Sequence, residues 1–115
     1  MKKITVYEKP TCTTCRNLAK LLKEHGIDHE KVNYFIDPLS AAKIKDLLKR
    51  AKIKPIDAVR KAEPDFKKLK ISAEMSDDKI ISLMVKNPNL MQRPIVEVGR
   101  KVILARPAEK VLEIL

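Results

Sequence analysis

At 115 residues the chain can bury one hydrophobic core but not two independent ones, so a single domain is expected. Its 44% hydrophobic and 35% charged residues exclude a disordered chain, and no apolar run approaches the ~20 residues of a membrane span. A formal charge of +10 favours anionic partners. The lysines that create it (Lys20, Lys23, Lys43, Lys45, Lys49, Lys67, Lys68, Lys70) are spread along helical segments with few aromatics between them. That distribution fits the solvated surface of a heat-adapted protein better than a nucleic-acid interface.

Lys3 to Tyr7, with β-branched Ile4, Thr5 and Val6, reads as a first strand. The chain then turns through Lys9-Pro10-Thr11 into a helix on which Cys15, Leu18, Ala19 and Leu22 recur on one face, with Gly26 as its stop. Lys31 to Phe35 returns as a second strand, giving a βαβ unit with parallel strands. From Asp37 to about Met91 the pattern is helical. Ser40 caps a helix that carries Ala41, Ile44, Leu47, Leu48 and Ala51 inward; Ser76 caps another that carries Ile80, Leu83 and Met84 and ends at Pro88. Ile56 to Arg60 and Asp65 to Leu69 read as short helical turns. Ile95 to Val98 and Lys101 to Ala105 are strands joined across Gly99-Arg100, and Pro107 opens a last helix with Ala108, Val111, Leu112 and Leu115 buried. This order predicts a thioredoxin-like α/β fold over residues 1–115: βαβ, a helical insertion at about 37–91, then ββα, with a mixed four-stranded sheet. In that fold the proline before the third strand is usually cis, and Pro94 holds that place.

The chemistry is concentrated in Cys12-Thr13-Thr14-Cys15. A cysteine in the first helical turn faces unpaired backbone N–H groups and the positive end of the helix dipole, which favour thiolate over thiol. Lys9 and Arg16 add to that field. Cys12 is therefore the candidate nucleophile, and Cys15 is placed to attack an adduct on Cys12 and release it as a disulfide. A zinc site would need further ligands; His25 and His29 lie across the Gly26 helix end, so no metal is expected. Met1-Lys2-Lys3 leads straight into a strand without an apolar leader, which points to the cytoplasm, where such a pair stays reduced unless it cycles.

The chain resembles the glutaredoxin-coupled arsenate reductases of the ArsC family and their relatives, the YffB-like proteins and the Spx-type regulators. The resemblance runs from Ile4-Thr5-Val6-Tyr7 to Val111-Leu112-Glu113-Ile114-Leu115. It is carried most specifically by Pro-Thr-Cys-Thr-Thr-Cys-Arg-Asn at 10–17, Arg60 in Ala-Val-Arg-Lys, Asn-Pro-Asn-Leu-Met-Gln-Arg-Pro-Ile-Val at 87–96 and Ala-Arg-Pro at 105–107. It implies that Cys12 attacks arsenate and that Arg60, Arg93 and Arg106 bind the oxyanion, with Thr11, Thr13 and Thr14 supplying further donors. Guanidinium groups suit this task because their planar forks bind oxyanions bidentately and keep their charge. By the same resemblance glutathione, with glutaredoxin, or thioredoxin is the external reductant, and no cofactor is bound. Cys15 offers an internal alternative as the resolving thiol. Where those reductases carry a histidine four residues before the cysteine, this chain has Glu8, and it stops at Leu115 where they continue.

Two rival readings stand beside the reductase. Spx-type regulators share the CxxC, use it as a redox switch and act by binding RNA polymerase; they generally lack the arginine corresponding to Arg106. A general thiol oxidoreductase acting on glutathione mixed disulfides would use the same cysteines, with Lys and Arg binding glutathione carboxylates.

Overall fold

The computed structural model describes residues 3–115; the expectation about the start at Met1 and Lys2 lies outside them. The chain divides into two compact units, one built from its two ends, up to Asp37 and from Arg93 onward, the other from Pro38–Gln92.

The first unit holds a four-stranded mixed sheet, ordered β2-β1-β3-β4, with β1 at Ile4–Glu8, β2 at Glu30–Asn33, β3 at Ile95–Val98 and β4 at Lys101–Leu104. β1 runs parallel to β2 and antiparallel to β3, which is antiparallel to β4. This is the mixed sheet expected from the sequence. Every residue of β1 is buried, as a central strand requires. Register pairs Val6 with Val96 and Ile4 with Val98, so one face of β1 and β3 presents a continuous aliphatic surface. Helix α1 (Thr13–Glu24) covers it with Leu18 and Leu22, joined by Ala105, Ala108 and Val111. Gly26, at φ +66°, ends α1 in the left-handed conformation, and the N–H groups of Gly26 and Ile27 close onto the carbonyls of Lys23 and Leu22.

Several boundaries differ from the sequence reading, each for a local reason. β1 runs one residue further, to Glu8. β2 stops at Asn33 because the Asn33 side chain accepts from the Phe35 N–H (3.0 Å) and its carbonyl accepts from Ile36 and Asp37, turning the chain over. The C-terminal segment Ala108–Glu113 is a 3-10 helix, with Pro107 flanking it and not inside it. Three residues per turn align Ala108, Val111 and Ile114 against the core, and Leu112 and Leu115, expected to be buried, face solvent.

The second unit contains α2 (Ala41–Ala51), α3 (Pro64–Lys68) and α4 (Asp77–Lys86). Ser40 and Ser76 cap α2 and α4 through Oγ, accepting from the N–H of Lys43 (3.1 Å) and Lys79 (3.2 Å). α2 turns Ile44, Leu47 and Leu48 inward but leaves Ala41, its first residue, exposed. α4 buries Ile80, Ile81 and Met84, with Leu83 half-buried. A short antiparallel bridge joins Val59 to Met91, extended by the N–H of Arg60 on the Leu90 carbonyl (2.6 Å) and of Gln92 on the Ala58 carbonyl (2.8 Å). Among the described residues no helix is long and apolar enough to cross a membrane.

Candidate active site

Cys12 is the N-cap of α1. Its backbone is extended (φ −76°, ψ 126°), its N–H closes the preceding turn on the Lys9 carbonyl (2.9 Å), and its Sγ accepts from the Cys15 N–H (3.4 Å). The sulfur therefore occupies the position where a capping oxygen would sit, in front of the open N–H groups of the helix. Thr13 begins α1, Thr14 is half-buried beside it, and Thr11 lies exposed in the turn.

The two thiols are driven apart in acidity. Burial works against ionising Cys12, but the Cys15 thiol and N–H, together with the guanidinium of Arg93, outweigh it and hold Cys12 below the ordinary thiol value. Cys15, 1% exposed, is pushed up to about 12 by burial first, then by its hydrogen bond to Cys12 and the negative charges of Cys12 and Glu8. Of the two sulfurs, Cys12 is thus the more readily ionised and Cys15 the one that keeps its proton.

Arg93 follows from the fold just ahead of β3, across the cis Arg93–Pro94 bond; Arg106–Pro107 is cis as well, which the sequence reading did not anticipate. Arg93 is 6% exposed, yet its Nε and Nη1 have no hydrogen-bond partner in the protein. Burial opposes its charge, but Tyr34 and Cys12 hold the guanidinium protonated beyond its ordinary value. Arg106 is tied to the same place, its Nη1 donating to the Arg93 carbonyl (2.9 Å). Three of the predicted site residues (Cys12, Arg93, Arg106) are thereby linked, while Arg60 lies in the helical unit next to the Val59–Met91 bridge.

The sequence reading missed Tyr34 and Phe35. They stack at 5.1 Å, and Phe35 lies under both Lys9 (4.7 Å from the ring centre) and Arg93 (5.6 Å). With Trp absent and only two Tyr and two Phe in the chain, an adjacent Tyr-Phe pair at the end of a strand was the available signal. It also missed that Glu8 is 5% exposed, with Oε1 unpartnered.

A thiol at the N-cap of the first helix, on this sheet and beside a proline-led third strand, defines a thioredoxin-like thiol protein. The chain belongs to the ArsC family, whose model matches residues 7–114. It is 38% identical over 115 residues to the uncharacterised protein YfgD of Escherichia coli K12, covering 98% of this chain and 97% of that one. It is 32% identical over 94 residues to the global transcriptional regulator Spx of Listeria monocytogenes, covering 81% of this chain and 72% of the relative. The solved structure of the arsenate reductase from Vibrio cholerae superposes with a TM-score of 0.93 at 29% identity, over 99% of this chain and 98% of that one.

Proposed function

We propose that this protein is a thiol-dependent oxidoreductase that reduces arsenate to arsenite through the Cys12 thiolate. The observation that carries the reading is the Arg93 guanidinium: a buried, permanent cation with two unpartnered N–H-bearing nitrogens beside a thiol whose pKa is held below the ordinary thiol value. Such donors suit a tetrahedral oxyanion, and an anionic nucleophile approaches arsenate only where fixed positive charge offsets the repulsion. In this reading Cys12 attacks arsenic and displaces hydroxide, forming a sulfur–arsenic bond, with Arg93 and Arg106 on the arsenate oxygens and Thr11, Thr13 and Thr14 adding donors. A second thiol, from glutathione or Cys15, then attacks Cys12 Sγ. The sulfur–arsenic bond breaks, its electron pair leaves with arsenic as arsenite, and the resulting disulfide is reduced by glutaredoxin or thioredoxin.

Arsenate-dependent NADPH oxidation, run in parallel with glutathione–glutaredoxin and with thioredoxin and with Cys12→Ser as the blank, tests the assignment. Turnover that vanishes in the variant is the expected result, and the system that sustains it identifies the reductant. Turnover of a glutathione mixed disulfide without arsenate turnover would make the protein a general thiol oxidoreductase. The match to Spx supports a second reading, a redox-responsive regulator; reversible Cys12–Cys15 oxidation without turnover of either substrate would favour it.

A further inference from the structure

We propose that Glu8 is the proton acceptor for Cys15, converting the buried thiol into the attacking thiolate at the moment it resolves an adduct on Cys12. The proposal rests on the reading that Cys15 performs that resolution.

The placement follows from the pleat. Side chains alternate along β1, so Glu8 shares a face with Ile4 and Val6. Those two residues pack against Leu18 and Leu22 of α1. Cys15 lies one turn before Leu18 on the same buried face of the helix, above the Glu8 end of the strand. The two groups interact: the Glu8 charge is among the influences that raise the Cys15 thiol. Glu8 is 5% exposed, and its Oε1 has no hydrogen-bond partner in the protein. An unpartnered buried carboxylate oxygen is costly. Its position beside a buried thiol gives that cost a use.

The charged and titratable groups around it are few among the described residues. Burial holds the Glu8 carboxyl above its ordinary value, and Lys31, on the same face of β2, acts in the opposite direction. Asn33 pairs with Glu8 across β2; Cys15 faces it from α1, and Arg93, ahead of β3, bears on Cys12. A carboxyl raised in this way accepts a proton more readily than an exposed glutamate, while burial, the first of the influences that raise Cys15, does not depend on the Cys12 charge and still opposes its ionisation with an adduct in place.

The step balances without an outside base. With an adduct Cys12–S–X in place, the Cys15 proton moves to the Glu8 carboxylate and Cys15 Sγ attacks Cys12 Sγ. The Sγ–X bond breaks, and X leaves with the electron pair. X is a thiolate when the adduct is a mixed disulfide, and arsenite when it is the arsenic(V) adduct. Cys12 and Cys15 end as a disulfide, and Glu8 later returns the proton to solvent.

The test is the reaction of the reduced protein with 5,5′-dithiobis(2-nitrobenzoate), which needs no arsenate. Attack by Cys12 releases one thionitrobenzoate anion, and attack by Cys15 on the mixed disulfide releases a second. In Glu8→Gln the first release keeps its rate, whereas the second slows at least about tenfold at pH 7 and climbs about tenfold per pH unit, as unaided thiol ionisation demands. Glu8→Asp recovers part of the second rate. A purely electrostatic role predicts the opposite, because removing the charge eases Cys15 ionisation. A second release in Glu8→Gln as fast as or faster than in the wild type overturns the proposal, as does equal slowing of both releases. A wild-type protein that releases one equivalent also overturns it, yet leaves arsenate turnover with glutathione untouched.

Discussion

Cys12 and Cys15 stand one helical turn apart and bind their protons with opposite strength, and this difference carries over into stability. Folded Cys15 keeps its proton to about 12, whereas the unfolded chain releases it near 9.0. Between those values the folded state holds more protons, so stability falls as pH rises across that window. Cys12 has the reverse sign: its folded value lies below 9.0, so its contribution is present above that value and is lost as pH falls through the lowered one. Urea midpoints measured from pH 8 to pH 11 should therefore decline in Cys12→Ser, and the decline should flatten in a Cys12→Ser, Cys15→Ala double variant. The placement of Cys12 at the start of α1 was legible because a proline turn, a CxxC and a helical apolar period are all local features of the sequence. The burial of Arg93 and Glu8 was not, since it depends on how distant strands pair, and pairing register leaves no mark in either residue's own neighbourhood.

At the scale of single elements, two helix ends make a complementary pair. Gly26 takes φ +66° with open space around the position of an added Cβ, so Gly26→Ala pays only for backbone conformation; a loss of about 1 kcal/mol is expected. Lys52 ends α2 in the same left-handed region, at φ 60°, with a side chain that disfavours it. Lys52→Gly should stabilise by about 0.5–1 kcal/mol. Ser76→Ala removes the cap of α4, for a loss of about 1 kcal/mol. Thermal denaturation of the three variants checks all of these values. Caps and stops were readable because a Ser before an apolar period, or a Gly after one, acts within a few residues. The last helix was misread because Ala108, Val111, Leu112 and Leu115 fit an α period as well as Ala108, Val111 and Ile114 fit a 3-10 one. The choice between them comes from packing on Ala105 and α1.

On the scale of the whole molecule, a net charge of +10 places an anionic substrate in an attractive field that salt screens. The KM for arsenate should rise severalfold between about 0.05 and 0.5 M salt, with kcat little changed, in steady-state assays over that range. The parallel βαβ pair, the hairpin and hence the mixed sheet were legible because a helical crossover and a two-residue turn are local features; the order β2-β1-β3-β4 comes from the structure. The helical segment expected at about 37–91 coincides with the second compact unit, Pro38–Gln92, because the change from strand alternation to helical spacing is a local feature of the sequence. The central claim is that Cys12, its thiol made more acidic by Cys15 and Arg93, faces an oxyanion site. Its most direct test is the pH dependence of Cys12 alkylation by iodoacetamide, with and without arsenate, in wild type and Arg93→Met. The account predicts an inflection below 9.0 and slower alkylation when arsenate is present; in the variant the inflection moves upward and the arsenate effect is lost. A wild-type inflection at or above 9.0 that arsenate leaves unchanged would contradict it.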